Sequence, residues 1–105
     1  MGKVIWTDPA LESLRDIIEY IAKDSPSYAE RFGIQIVESP RRLEKYPHSG
    51  RIVPEFNDEE IRELFYSSYR IIYLIKDEDC YITAVIHGSR DIIQHLEPGD
   101  WDIDW

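Results

Sequence analysis

Three runs rich in Ile, Val, Tyr and Phe, residues 61–66, 69–76 and 80–87, are separated only by Ser67-Ser68 and by Asp77-Glu78-Asp79. Connections that short join antiparallel neighbours, because a parallel return needs a crossover of about a dozen residues or more. The stretch therefore predicts a three-stranded antiparallel meander. A lone sheet of that kind needs a cover for its apolar face.

The residues before it supply one. Thr7-Asp8-Pro9 is a helix start, with an Asp able to accept hydrogen bonds from free N–H groups and a proline at the first helical position. Leu11, Leu14, Ile18 and Ile21 then recur at helical spacing with Ile17 beside them, so one stripe faces a core until the helix ends near Asp24. Ser25-Pro26 repeats the start signal, and Ala29, Phe32, Ile36 and Leu43 continue at helical spacing to about Tyr46. Pro40 removes a backbone donor and crowds the carbonyl of Ile36, which predicts a kink or two shorter helices. With so short a joint around Asp24 to Pro26, the two helices form an antiparallel hairpin.

"KVIWT" (3–7) adds an edge strand, and "YPHSGRIVPEFNDEE" (46–60), with two prolines and a glycine, reads as a loop with little regular structure. "RDIIQHL" (90–96) fits a final helical turn, and residues 97–105 an acidic, flexible tail. The expected architecture is α+β in the order β-α-α-β-β-β, with the helical hairpin packed on an antiparallel sheet and strand-borne arginines emerging on the opposite, uncovered side. A chain of 105 residues holds one core comfortably, so residues 1–105 form a single domain.

The net charge of −9 argues against a general nucleic-acid binder, which works by neutralising phosphates. Charge is uneven, however: residues 39–51 sum to +3, through Arg41, Arg42, Lys45 and Arg51 against Glu44, and the remainder carries −12. No apolar run approaches the roughly 20 residues that span a bilayer, and the start lacks a secretory apolar region, so a cytoplasmic location is expected. Cys80, the one cysteine, has no internal disulfide partner or zinc-type spacing and lies in a strand-like run, as a buried thiol would. No metal or cofactor is expected.

At "IRELFYSSYRIIYLI" followed by "YITAVIHGSRDI" the chain resembles the RelE/ParE superfamily of toxins from type II toxin–antitoxin systems. "VIWTDPALESLRDIIEYIA" is similar to that family's first strand and helix, and "YPHSGRIVPEF" to its loop after the helical hairpin. The resemblance implies a toxin bound by a cognate antitoxin. RelE-like members are ribosome-dependent nucleases that cut mRNA, whereas ParE-like members inhibit DNA gyrase. "HGSRD" without a following tyrosine is closer to the ParE type, which favours gyrase as the target.

Metal-free RNA cleavage needs the 2′-hydroxyl deprotonated, the leaving oxygen protonated and the crowded phosphate stabilised. By resemblance, Arg70 matches the arginine that RelE-type nucleases carry at the start of this strand, where a guanidinium grips phosphate with two prongs. Arg62, His87 and Arg90 would then add charge or proton transfer. Plainer roles stand beside these. Arg70 could pair with Glu63 on the neighbouring strand, worth roughly 0.2–1 kcal/mol, and His87 could satisfy a backbone group in the turn before Gly88. His48 and His95 read as surface residues, and Tyr66, Tyr69, Tyr73 and Tyr81 suit strands by propensity. Arg41, Arg42 and Lys45 complement a helix end. Trp101 and Trp105 either fold over the sheet or dock on another chain, and the acidic balance leaves open a non-toxic relative that only binds antitoxin.

Overall fold

The computed structural model describes residues 2–89. Its elements run β1 (Val4–Trp6), α1 (Asp8–Ala22), α2 (Pro26–Glu38), a 3-10 helix (Ser39–Glu44), a shorter one (Pro47–Ser49), β2 (Arg51–Ile52), β3 (Ile61–Tyr66), β4 (Tyr69–Lys76) and β5 (Asp79–His87). The meander is present with the expected bounds to within a residue. The stretches 90–96 and 97–105 lie outside the described residues. No helix among the described residues is long and apolar enough to cross a membrane.

The strands form one sheet in the order β1-β5-β4-β3-β2. β1 runs parallel to β5, pairing Val4 with Cys80 and Trp6 with Ile82. The antiparallel meander is present as expected and the edge strand joins it in parallel, because the helical hairpin between β1 and the meander acts as a crossover. The loop 46–60 also holds more structure than expected: β2 pairs Arg51 with Glu63 and Ile52 with Arg62.

Two helix starts obey local rules. Thr7, rather than Asp8, caps α1: its Oγ accepts the Ala10 N–H at 3.3 Å and donates to the Ile82 carbonyl at 2.7 Å, so the cap also ties the helix to β5. Ser25 accepts the Tyr28 N–H at 3.3 Å and caps α2. Pro40 ends the α-helical hydrogen bonding at Glu38 and the chain tightens into the 3-10 turn, the split that proline at this place predicts.

The helices cover one side of the sheet, where Leu14, Phe32, Ile36, Leu43, Ile71 and Ile82 meet in one buried cluster. Fully burying a side chain of this size contributes about 1.5–3 kcal/mol. Phe32 anchors the helix side on β3 and β4, with its ring edge-on to Tyr66 and Tyr69 at 5.5 and 5.4 Å. Across the sheet a second cluster joins Ile61, Ile72, Leu74 and Ala84 to Val53, with Phe56 packed on it. The opposite face is thus not left open: the β2–β3 connection folds back over it.

Two hairpins need left-handed backbone at their turns, Ser67 (φ 54°) and Asp77 (φ 58°), and Asn57 (φ 50°) does the same in the β2–β3 connection. Asn and Asp tolerate that region better than most side chains. A bulge between Ile72 and Tyr73 leaves Thr83 without a cross-strand partner, and its Oγ1 donates to the Ile72 carbonyl at 3.2 Å.

Candidate functional site: a charge network on the outer sheet face

Side chains alternate along a strand, so register decides which arginine reaches which face. Glu63 lies opposite Ile72 and Arg70 opposite Phe65, which puts both on the face away from the helices. Arg62 lies opposite Tyr73, whose ring is in the helix-side cluster. The expectation that both arginines share the outer face holds for Arg70 and fails for Arg62, since an even step separates Arg70 from Ile72 and an odd one separates Arg62 from Glu63.

Arg70 is the centre of a network of alternating charge. Its Nη1 and Nη2 each donate to one oxygen of Glu55 at 2.9 Å, a two-pronged pair, and its Nε donates to Glu63. The other oxygen of Glu63 accepts from Nε of Arg51 at 2.9 Å and from its Nη2. The Glu63 side chain is 0% exposed and that of Arg70 8%, against 56% for Arg51. The cross-strand pairing of Arg70 with Glu63 that the sequence allows is present, inside a larger set of four groups whose formal charges cancel.

The electrostatics follow from these contacts. The Arg70 hydrogen bonds pull the Glu55 carboxyl down to about 2, outweighing the partial burial that would raise it. Arg70 itself is raised above its ordinary value, first by Glu55 and then by Glu63, against the penalty of burial. A guanidinium so held has its fork filled by carboxylate, and an incoming phosphate would have to displace Glu55.

Arg62 has carbonyl partners. Its Nε donates to Glu59 O at 2.8 Å and its Nη1 to His48 O and Gly50 O, both at 3.0 Å. Beside it the Tyr73 hydroxyl donates to Pro47 O at 2.8 Å and accepts the Gly50 N–H at 2.9 Å. Burial pushes that hydroxyl up to about 12. Gly50 is required by close approach, because a Cβ there would come within 2.5 Å of the Tyr73 Oη. Arg62 and Tyr73 together pin the start of the long loop.

His87 ends β5 opposite Tyr69, on the helix side. Its Nδ1 accepts the Ser89 N–H at 3.2 Å and lies 2.7 Å from the Ser89 Oγ, so it satisfies a backbone group of the turn. Tyr69 and Tyr73 are four residues apart along β4, about 13 Å at strand rise, which separates His87 from Arg62. Arg70 is on the other face from both. The described members of the candidate nuclease set do not converge on one point, and Arg90 lies outside the described residues.

Sequence reasoning missed Glu55 as a partner of Arg70. The signal was in "RIVPEF": Val53 and Phe56 are apolar residues inside a polar loop, and docking both of them delivers the glutamate between them. Cys80 is buried as expected, and burial raises its thiol to about 11, away from reactivity. Among the described residues no group of His, Cys, Asp and Glu has the makings of a metal site.

Comparison with known proteins gives a consistent picture. Residues 4–92 match the family model described as the ParE toxin of the type II toxin–antitoxin system, parDE. The chain is 32% identical over 91 residues to "Toxin RelE2" of Caulobacter vibrioides, an alignment covering 86% of this chain and 99% of that one. Its fold is similar to a chain of the structure described as the chromosomal ParDE TA system from P. aeruginosa, with a TM-score of 0.68 at 21% identity, over 83% of this chain and 96% of that one.

Proposed function

Since the chain belongs to the ParE toxin family of type II toxin–antitoxin systems, we propose that it is a ParE-like toxin that inhibits DNA gyrase through protein contacts and is neutralised by a cognate antitoxin. The observation that supports this reading over nucleolysis is the state of Arg70. Its fork is occupied by Glu55 and its Nε by Glu63, and the four-group network carries no net charge. A chain of net charge −9 adds repulsion to any approach to ribosomal RNA. Gyrase inhibition requires neither a bound phosphate nor a general base. Its place of action is the cytoplasm, where gyrase works.

The test is a supercoiling assay with purified protein free of antitoxin. Inhibition is expected, and an unaffected gyrase at every soluble concentration removes the reading.

A second reading, a ribosome-dependent mRNA endonuclease built on Arg70, draws support from the likeness to a protein named RelE2. It requires Glu55 to leave Arg70 when RNA arrives. Translation-coupled mRNA cleavage by the wild-type chain, with supercoiling untouched, would put this reading first. A non-toxic relative that only sequesters antitoxin predicts unchanged growth on expression, and growth arrest excludes it.

A further inference from the structure

α2 buries Ala29, Phe32 and Ile36 against the sheet, and its opposite side is not uniformly polar. Ile34 is 61% exposed and Val37 42%, one turn apart on that outer side, with exposed Glu30 one turn before them and exposed Arg41 one turn after. The steps from Glu30 to Ile34, Val37 and Arg41 are four, three and four residues, the spacing of a helix-pairing seam. Arg41 keeps to this face although it lies in the 3-10 turn. Glu38 and Ser39 hold right-handed helical backbone, and the Arg41 Nη1 donates to Glu38 at 3.1 Å. Leu11 of α1, also partly exposed, borders the same face, one heptad before the Ile18 that packs on Gly33 of α2.

Such a spacing reads the same from either end, while its charges are opposite at the two ends. We propose that the outer face of α2 is a contact between two copies of this chain, packed antiparallel about a two-fold axis. Ile34 then falls on the partner's Val37 and Glu30 on the partner's Arg41, each pairing made twice. Charge selects a second copy as the occupant. Beside the seam, Arg31 and Glu38 stand one heptad apart and meet their opposites in the same way. The start of the basic stretch 39–51, which sums to +3, comes alongside the partner's residues 24–30, which hold Asp24 and Glu30 and no lysine or arginine. The existing pair of Arg41 with Glu38 is exposed on both sides and yields readily. The overall −9 opposes association only weakly, because charges on distant surfaces are screened beyond about 8 Å in physiological salt whereas the paired groups touch. From Glu30 to Arg41 the seam is about 17 Å long, too short for a permanent dimer, so the contact is reversible and depends on concentration. It goes beyond the toxin reading and stands without it.

The experiment is sedimentation velocity of the full chain over roughly 1–500 µM, where a monomer–dimer equilibrium with half-association at about 10–100 µM is expected. Ile34→Gln, at an exposed helix position, is expected to weaken it roughly tenfold with unchanged thermal unfolding. Glu30→Arg and Arg41→Glu each set like charges together twice, and each alone is expected to weaken self-association by roughly tenfold or more. Mixed in equal amounts, these two variants are expected to pair with each other about as well as the wild type pairs with itself, since each offers the charges that the other lacks. A chain that stays monomeric throughout overturns the proposal and leaves the face to a different protein or to solvent. A dimer that the single charge reversals leave intact also overturns it, assigning association to another surface. Failure of the mixed variants to pair does the same for the antiparallel arrangement on which the proposal stands.

Discussion

Arg70 and Arg62 lie on opposite sides of the sheet, and their partners differ in kind: carboxylates around Arg70, main-chain carbonyls around Arg62. Around Arg70 the two buried charges, its own and that of Glu63, are held together with their opposites, so the network stands or falls as a set. Around Arg62 the guanidinium meets partial charges only, and the loop it holds keeps access to solvent. The same residue type therefore builds a charge-balanced cluster in one place and a mechanical tie in the other.

The largest contrast is expected from Glu63→Ala, which leaves Arg70 buried with one partner and Arg51 without a carboxylate. Breaking a buried pair from one side costs about 3–5 kcal/mol, readable as a shift in the urea midpoint. Arg62→Ala removes three hydrogen bonds to carbonyls that water can reach, a loss of about 1–3 kcal/mol, with faster amide exchange confined to the loop around Gly50. Equal losses from the two variants would break the comparison.

Acid sharpens it further. Glu55 has its carboxyl depressed from an ordinary 4.5 to about 2 by Arg70. A depressed carboxylate contributes stability that is fully present above its unfolded value and is lost as pH falls through its folded value. The stability gap between the wild type and Glu55→Gln is thus expected to hold above about pH 4.5 and to close as pH falls toward 2. The gap for Arg62→Ala has no such carboxylate and should stay level over that range. Chemical denaturation at stepped pH checks both. The smallest effect belongs to Arg51, whose guanidinium lies 5.1 Å from the centre of the exposed Phe65 ring. Phe65→Leu should cost about 0.5–1 kcal/mol in the same denaturation.

Legibility in the sequence followed the range of the interactions. The meander, both helix starts and the break at Pro40 are set by neighbours a few residues apart, and period, caps and proline report such neighbours directly. Arg70 with Glu63 was legible because a two-residue hairpin fixes the register between β3 and β4. Glu55 was not, because its place depends on a loop folding back through Val53 and Phe56. The face of Arg62 turned on one step of parity, and the parallel pairing of β1 was hidden because nothing local in "KVIWT" says which edge it joins.

That parallel pairing reaches into biosynthesis. A ribosome delivers the N-terminal segment first, yet its sheet partner, Cys80 to Ile82, is among the last described residues to emerge. Contacts between such distant parts of a chain form slowly because the intervening loop must close first. Until Cys80 to Ile82 have emerged, the nascent polypeptide carries β1 as an unpaired strand, and the sheet closes only afterwards.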